Sequence, residues 1–180
     1  MERSDYGGGF FHSQEELLAA IERDLGAERA QAVRRSLAWQ PRQLTDAERT
    51  ELRANLKPVL RDMRVSGAIV PDVVEQAHED AGPDVVCALI QQGQQHAGGR
   101  SIQVKLGEPP ADRLADLADQ LQEWEVEELA AAGRPATWPE CPGHPDSHPL
   151  SPEARDGKAA WCCPVSGQVV CTIGTLRVGS

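Results

Sequence analysis

The sequence predicts an α+β fold, with a helical N-terminal half, a β-hairpin followed by a long amphipathic helix, and a small zinc-knuckle-like hairpin at the C-terminus. Three observations lead to this prediction. Apolar residues recur at helical spacing through residues 13–66. Two segments in the middle of the chain have the length and the apolar pattern of strands. The last 47 residues hold seven of the 13 prolines and four of the five cysteines.

The composition is that of a globular protein. The chain has 180 residues, of which 40% are hydrophobic and 26% are charged. Its formal net charge of −10 argues against a protein that binds nucleic acid through phosphate contacts, because such contacts need Lys and Arg. No apolar run reaches the roughly 18–20 residues that cross a bilayer, and no stretch of signal-peptide type is present. We therefore expect a cytosolic protein and no membrane partner.

Changes in composition along the chain predict four segments. Residues 1–12 form a disordered leader, and residues 13–66 form a helical subdomain. Residues 67–133 contain a short helix, the β-hairpin and the long helix. Residues 134–180 form an appendage of zinc-ribbon type that is rich in Pro, Cys and His. Because a segment so rich in proline buries little core, we expect a metal to stabilise it.

The helical subdomain is predicted to contain three amphipathic helices. The first begins at Ser13, which stands three residues before a Glu as in a capping box, and it ends at Gly26. The second covers about residues 27–39. The third begins with a second capping box at Thr45, and it has Pro58 in its interior. At this proline we expect a kink or a new helix start.

The middle of the chain changes from helical to strand spacing. Pro71 is predicted to open a short helix that includes Val73, Val74 and Ala77. Residues 85–90 form an apolar run, and residues 101–106 alternate apolar with polar side chains. These two segments predict a β-hairpin with a long loop.

The long helix is predicted over about residues 111–132, with Gly133 as its stop. One face carries apolar residues at spacings of three and four: Leu114, Leu117, Ala118, Leu121 and Trp124. We expect this face to pack on the hairpin. The other face carries an acidic stripe that consists of Asp112, Asp116, Asp119, Glu123 and Glu127. This acidic stripe would favour a basic partner.

Cysteine and histidine side chains cluster within 31 residues of the C-terminal segment, at Cys141, His144, His148, Cys162, Cys163 and Cys171. Zinc prefers a tetrahedron of thiolate and imidazole ligands, and the Cys-Pro-Gly-His turn supplies two of them. We predict one structural zinc held by Cys141, His144 and Cys163. Either His148 or Cys162 would be the fourth ligand.

The choice between the adjacent cysteines depends on the final hairpin, which is predicted as residues 159–163 against residues 168–173. Neighbouring residues of a strand face opposite sides, so one cysteine can bind the metal while the other packs. The alternative for the whole cluster is a simple loop in which the cysteines are small buried hydrophobic residues. The cysteine in the middle segment, Cys87, is expected in the core, and His78 and His96 at the surface.

The C-terminal segment resembles a pattern that recurs in uncharacterised actinobacterial proteins. The shared residues are Trp138-Pro139-Glu140-Cys141-Pro142, His144-Pro145, His148-Pro149-Leu150, Trp161 with Cys163-Pro164, and Ile173-Gly174 with Leu176. The resemblance covers roughly the last 45 residues. The resemblance implies that this segment is a genuine domain, and it does not point to any activity.

The favoured function is a non-enzymatic module that binds another protein, because no catalytic set of residues is evident. Trp138 and Trp161 would either anchor the partner or cover the metal site. One alternative is a DNA-binding regulator that uses Arg34 and Arg35. The other is a zinc hydrolase with a metal-bound water and Glu140 as general base.

Overall fold

The computed structural model describes residues 14–31, 42–77, 84–93, 99–145 and 147–177, and within them the fold is α+β. The chain divides into two compact units, residues 1–40 and 41–180. In the first unit, helix α1 (Gln14–Leu25) ends at Gly26, whose φ of 88° is left-handed. Helical residues resume at 27–31. The predicted leader, the rest of the second helix with Arg34 and Arg35, and His78 and His96 lie outside the described residues.

The second unit begins with a two-residue strand β1 (Arg42–Gln43) and helix α2 (Asp46–Ser66). The predicted capping box is present, because the Thr45 hydroxyl accepts from the Glu48 backbone N–H while the Glu48 carboxylate accepts from the Thr45 N–H at 2.7 Å. The helix continues through Pro58 without a new start. Buried Leu56 and Val59 on either side of the proline hold both turns against the core, which offsets the missing hydrogen bond.

The predicted short helix after Pro71 is wrong. Residues Asp72–Val74 form strand β2, and Gln76–Ala77 form strand β3, which pairs with β1. Strand β2 lies antiparallel to the predicted hairpin, with Val73 opposite Ile90. Branched valines fit the pleated surface of a sheet better than a helix, so the neighbouring strand decides their conformation.

The predicted hairpin is confirmed as strands β4 (Val85–Gln91) and β5 (Arg100–Lys105). The sheet order is β2-β4-β5. Helix α3 (Pro110–Ala131) packs on this sheet through fully buried Leu117 and Leu121, as expected. Several acids of the predicted acidic stripe pair with this sheet, since Arg100 contacts Glu123 and Glu127, and Lys105 contacts Asp116.

A second three-stranded sheet occupies the C-terminal segment, with the order β6-β7-β8. Strands β7 (Lys158–Cys162) and β8 (Val169–Thr172) are the predicted final hairpin. A further strand that the sequence did not predict, β6 (Ser151–Arg155), pairs with β7. The connection uses Asp156 and Gly157, both at positive φ, and Asp-Gly is a strong two-residue hairpin sequence that the proline-rich composition obscured.

One hydrophobic core extends through the second unit, from Leu44 to Leu176. Trp138 and Trp161 are buried in it, so the expectation that the C-terminal segment buries little core is wrong. The predicted boundaries near residues 66 and 133 fall inside this unit. None of the described helices is both long and apolar enough to span a membrane.

A buried carboxylate joins the two ends of this unit. Asp62 of α2 is fully buried and accepts from the Trp161 indole N–H at 2.9 Å. It also accepts from the backbone N–H groups of Gly174 at 2.6 Å and Leu176 at 3.0 Å, and it pairs with Arg61. These bonds fasten the segment after β8 to α2.

Candidate metal centre

The loop of residues 138–150 carries three of the predicted ligands, and its two ends are held together. Leu150 donates its N–H to the Pro139 carbonyl at 2.7 Å, and Glu140 and Pro149 form a β-bridge. The buried Gln122 amide of α3 donates to the carbonyls of Trp138 at 2.7 Å and Leu150 at 2.6 Å. The loop is therefore closed at its base and attached to the long helix.

Tight turns aim the ligands inward. His144 donates its N–H to the Cys141 carbonyl at 3.0 Å, which turns the chain so that the two side chains meet. Cys163 directly follows β7, and its backbone bonds to Gln168 at 2.9 Å and Gly167 at 2.8 Å close the hairpin turn. The chain thus brings Cys163 from a strand end to the loop that holds Cys141 and His144.

Four ligand atoms converge here, from Cys141, His144, His148 and Cys163, all within 4.8 Å of one another. The His144 Nδ1 lies 3.6 Å from the Cys141 sulfur and 3.5 Å from the Cys163 sulfur. The His148 Nε2 lies 3.9 Å from the Cys163 sulfur. A zinc tetrahedron with Zn–S of about 2.3 Å and Zn–N of about 2.0 Å separates sulfur from nitrogen by about 3.5 Å. The observed spacing fits a cation of this size.

His148, one of the two predicted alternatives for the fourth ligand, belongs to this group. Its Nδ1 lies 2.9 Å from the Pro149 carbonyl. An N–H at Nδ1 would donate to that carbonyl and leave the Nε2 lone pair free for a metal, which is the usual outer-shell arrangement of a ligating histidine. Cys162, the other alternative, lies outside the group, and its thiol is directed to the Ala160 carbonyl at 3.9 Å.

The two adjacent cysteines differ in electrostatic environment. Hydrogen bonds from Ser166, from its side chain and then its backbone N–H at 3.4 Å, lower the pKa of the Cys163 thiol to about 6. Burial, with Glu153 nearby, instead raises the pKa of Cys162. Since a thiolate binds metal and a thiol does not, only Cys163 of this pair is prepared as a ligand.

The site is well shielded on its sulfur side. Cys141 and Cys163 are 1% and 3% exposed, whereas the two histidines are half-buried. Trp138 and Trp161 lie in the core with ring centres 5.5 Å apart, and their indole N–H groups donate to Ser66 and Asp62. This burial excludes both tryptophans as exposed anchors for a partner.

The remaining predicted residues lie apart from this centre. Cys87 is buried in β4 as expected, and Cys171 is half-buried in β8 with a pKa raised by burial and then by Asp62. Glu140 is exposed at the base of the loop.

Sequence reasoning missed the four buried polar residues of the described chain, Asn55, Asp62, Gln122 and Glu125. A detectable signal existed, because each stands among apolar residues on the buried face of its helix, as Asp62 does between Val59 and Met63. Glu125 is fully buried, and one of its oxygens accepts from the Ile69 N–H at 2.8 Å. Its other oxygen has no partner among the described residues.

Family models, curated proteins and solved structures were compared with the chain, and none of the three comparisons produced a match.

Proposed function

We propose that Cys141, His144, His148 and Cys163 bind one zinc ion with a structural role. The observation that carries this proposal is the convergence of two sulfur and two imidazole nitrogen atoms within 4.8 Å. Two thiolates and two imidazoles are a common zinc ligand set, and soft thiolates disfavour Mg²⁺ and Ca²⁺. The ion would fasten the 138–150 loop to the end of β7.

A structural role is favoured over a hydrolytic one by the number of ligands. A catalytic zinc keeps one coordination position for water or substrate, whereas four protein ligands fill the tetrahedron. The hydrolase alternative would require His148 to leave the metal so that water could bind near Glu140. Turnover of an ester or amide substrate that is abolished by Glu140→Gln would support that alternative.

Metal analysis of untagged protein tests the zinc site. We expect about one zinc per chain, and we expect Cys141→Ser and His148→Ala to lower zinc affinity at least about tenfold. Cys162→Ser and Cys171→Ser are matched controls, because both thiols lie outside the group, and they should retain zinc. Zinc content that is well below one per chain and unchanged in Cys141→Ser would refute the site.

We further propose that the chain is a cytosolic, non-enzymatic module that binds another protein, with the zinc making its surface rigid. The support is the position of three large hydrophobic side chains that are exposed among the described residues: Val165, Val169 and Val170. All three lie on the hairpin that carries Cys163. Exposed large apolar side chains that lie this close together along one hairpin are candidates for an interaction surface.

A pull-down from the native cytosol tests the binding role. A specific partner should be recovered with the wild-type chain and lost with Val169→Ser combined with Val170→Ser. Recovery of no partner by a chain with a full zinc complement would contradict the proposal. Salt-sensitive binding to duplex DNA would instead support the regulator alternative with Arg34 and Arg35.

A further inference from the structure

A cleft of about 1130 Å³ lies beside the metal centre. Its walls come from the ends of α2 and α3, the loop after α3, the base of the metal loop, β8 and the segment after β8. Sites for small molecules usually have about 300–1,000 Å³ and enclose most of the ligand. A half-open cleft above that range suits an extended chain better than a compact molecule.

The charged side chains of the cleft are unusual for this acidic protein. Arg134 and Arg177 both line it, and neither has an ion-pair partner among the described residues. The Arg134 guanidinium donates a hydrogen bond to the Gly67 carbonyl at 3.0 Å. By contrast, Arg53 and Arg100 outside the cleft are paired with carboxylates. The cleft therefore presents two guanidinium groups to a ligand.

Two acids also line the cleft, so its charged side chains are two arginines and two glutamates. Glu140 is exposed to solvent, which screens its interaction with the arginines. Glu125 is fully buried behind the wall. Burial raises its pKa to about 7. The lining therefore does not share the acidic excess of the whole chain, which carries a charge of −10.

An edge strand forms part of the same wall. Among the described strands, β8 has β7 as its neighbour on one side and none on the other. Val170 and Cys171 of β8 line the cleft, and Val169 and Val170 are 55% and 38% exposed. An open edge next to apolar side chains can accept a further strand from another chain, with backbone hydrogen bonds for affinity and side-chain contacts for specificity.

We propose that this cleft binds an extended segment of a partner protein in which acidic side chains alternate with apolar ones. The segment would pair with the edge of β8, place its apolar side chains against Val170 and place its carboxylates at Arg134 and Arg177. The proposal rests on the protein-binding function given above and specifies the chemistry of the partner.

Charge complementarity favours an acidic partner over a basic one. The acidic stripe of α3 that would attract a basic partner is already partly neutralised by Arg100 and Lys105. Two guanidinium groups without ion pairs offer bidentate sites for carboxylates. A nucleic acid is disfavoured, because two cations on a chain with a charge of −10 are too few for backbone binding.

Selection from a displayed library of random ten-residue peptides tests the proposal, with the zinc-loaded full chain as bait. We expect enrichment of peptides that alternate Asp or Glu with Val, Ile or Leu. The double variant Arg134→Glu/Arg177→Glu should bind a selected peptide at least tenfold more weakly. Lys158→Glu is the matched control: this exposed cation lies outside the cleft, and its variant should bind as the wild type does.

The outcomes separate this inference from the proposed function. Enriched basic peptides, or acidic peptides that bind the double variant as tightly as the wild type, would overturn the cleft assignment while protein binding stands. If a single-stranded oligonucleotide displaces the selected peptide at a similar concentration, the ligand of the cleft is a nucleic acid and the peptide assignment is wrong. If no peptide is enriched and the pull-down also recovers nothing, both proposals fall. Circular dichroism and zinc content show that the variants are folded.

Discussion

Single buried polar side chains connect the candidate metal centre to the core of the second unit. Asp62 holds Trp161 and the segment after β8, and Gln122 holds both ends of the metal loop. Glu125 holds the connection between α2 and β2 through Ile69. A buried hydrogen bond that loses one partner leaves the other unsatisfied, so each of these residues affects stability more than an exposed counterpart does.

Glu125 should make stability depend on pH. Burial, opposed by the Ile69 hydrogen bond and by Arg134 and reinforced by Glu128, raises its pKa from 4.5 to about 7. The folded state therefore binds the proton more tightly than the unfolded state, and stability falls as pH rises from about 4.5 to about 7. Above about pH 7 the contribution of Glu125 to the free energy of unfolding no longer changes with pH. The total loss of stability by then is about 3 kcal/mol.

The test of this pH dependence is Glu125→Gln, which cannot ionise. Urea denaturation from pH 5 to pH 8 measures the free energy of unfolding of the variant and of the wild type. As pH rises, the variant should become more stable relative to the wild type by about 3 kcal/mol. Asp112→Asn is the control, because this exposed acid lies in the first turn of the same helix and does not contribute to the pKa shift of Glu125. A pH-independent difference for Glu125→Gln would show that the carboxyl is not buried in solution.

At the level of elements, the segment after β8 and helix α2 pack so closely that only glycine fits between them. Gly174 has a φ of 93°, and a Cβ there would lie 2.7 Å from the Pro58 Cβ and 3.3 Å from the Pro58 Cα. The proline ring and its backbone cannot move aside. We expect Gly174→Ala to lower the free energy of unfolding by about 2–3 kcal/mol.

Gly143→Ala is the matched control for that substitution. Gly143 lies between two predicted ligands, yet a Cβ there would meet nothing within 4 Å, and its φ is not left-handed. Thermal denaturation should show a clear loss of stability for Gly174→Ala and little change for Gly143→Ala. Equal losses would contradict the close approach of the two elements.

Helix α3 should tune metal affinity through Gln122. Gln122→Leu removes the hydrogen bonds that the side-chain amide donates to the carbonyls of Trp138 and Leu150. Because the base of the loop then opens more easily, zinc affinity should fall about tenfold or more. Gln120→Leu is the control, because the Gln120 amide on the same helix donates to the Gln103 carbonyl of β5 at 3.0 Å. Competition with a chromophoric chelator measures both affinities. A similar loss in both variants would indicate general destabilisation of the helix.

For the second unit as a whole, metal removal should lower the melting temperature in one cooperative transition. Trp138, Cys141, Leu150 and Trp161 share a single core with α2 and both larger sheets. Zinc present at about 1,000 times its dissociation constant would stabilise the folded state by about 4 kcal/mol, or about 10 °C. Calorimetry with and without a chelator measures the shift. Two separate transitions, with the second unaffected by chelation, would show that residues 134–180 unfold independently.

Local sequence determined the elements whose causes are local. The capping box at Thr45, the apolar spacing of α3 and the alternation of β5 each act within one or two turns or strands, and each prediction is confirmed. The Cys-Pro-Gly-His turn likewise brings Cys141 and His144 together with bonds made inside the loop. These features depend on chain neighbours, which a sequence displays directly.

Tertiary structure decided everything that depends on residues distant in the chain. The valines of β2 are strand because β4 lies beside them, and Cys163 joins the group while Cys162 turns away because of the register of β7 with its neighbours. The choice of His148 follows from the closed base of the loop, which Gln122 holds from α3. Polar groups such as Asp62 belong in the core only because partners 99 to 114 residues away satisfy them, and no local pattern encodes those partners.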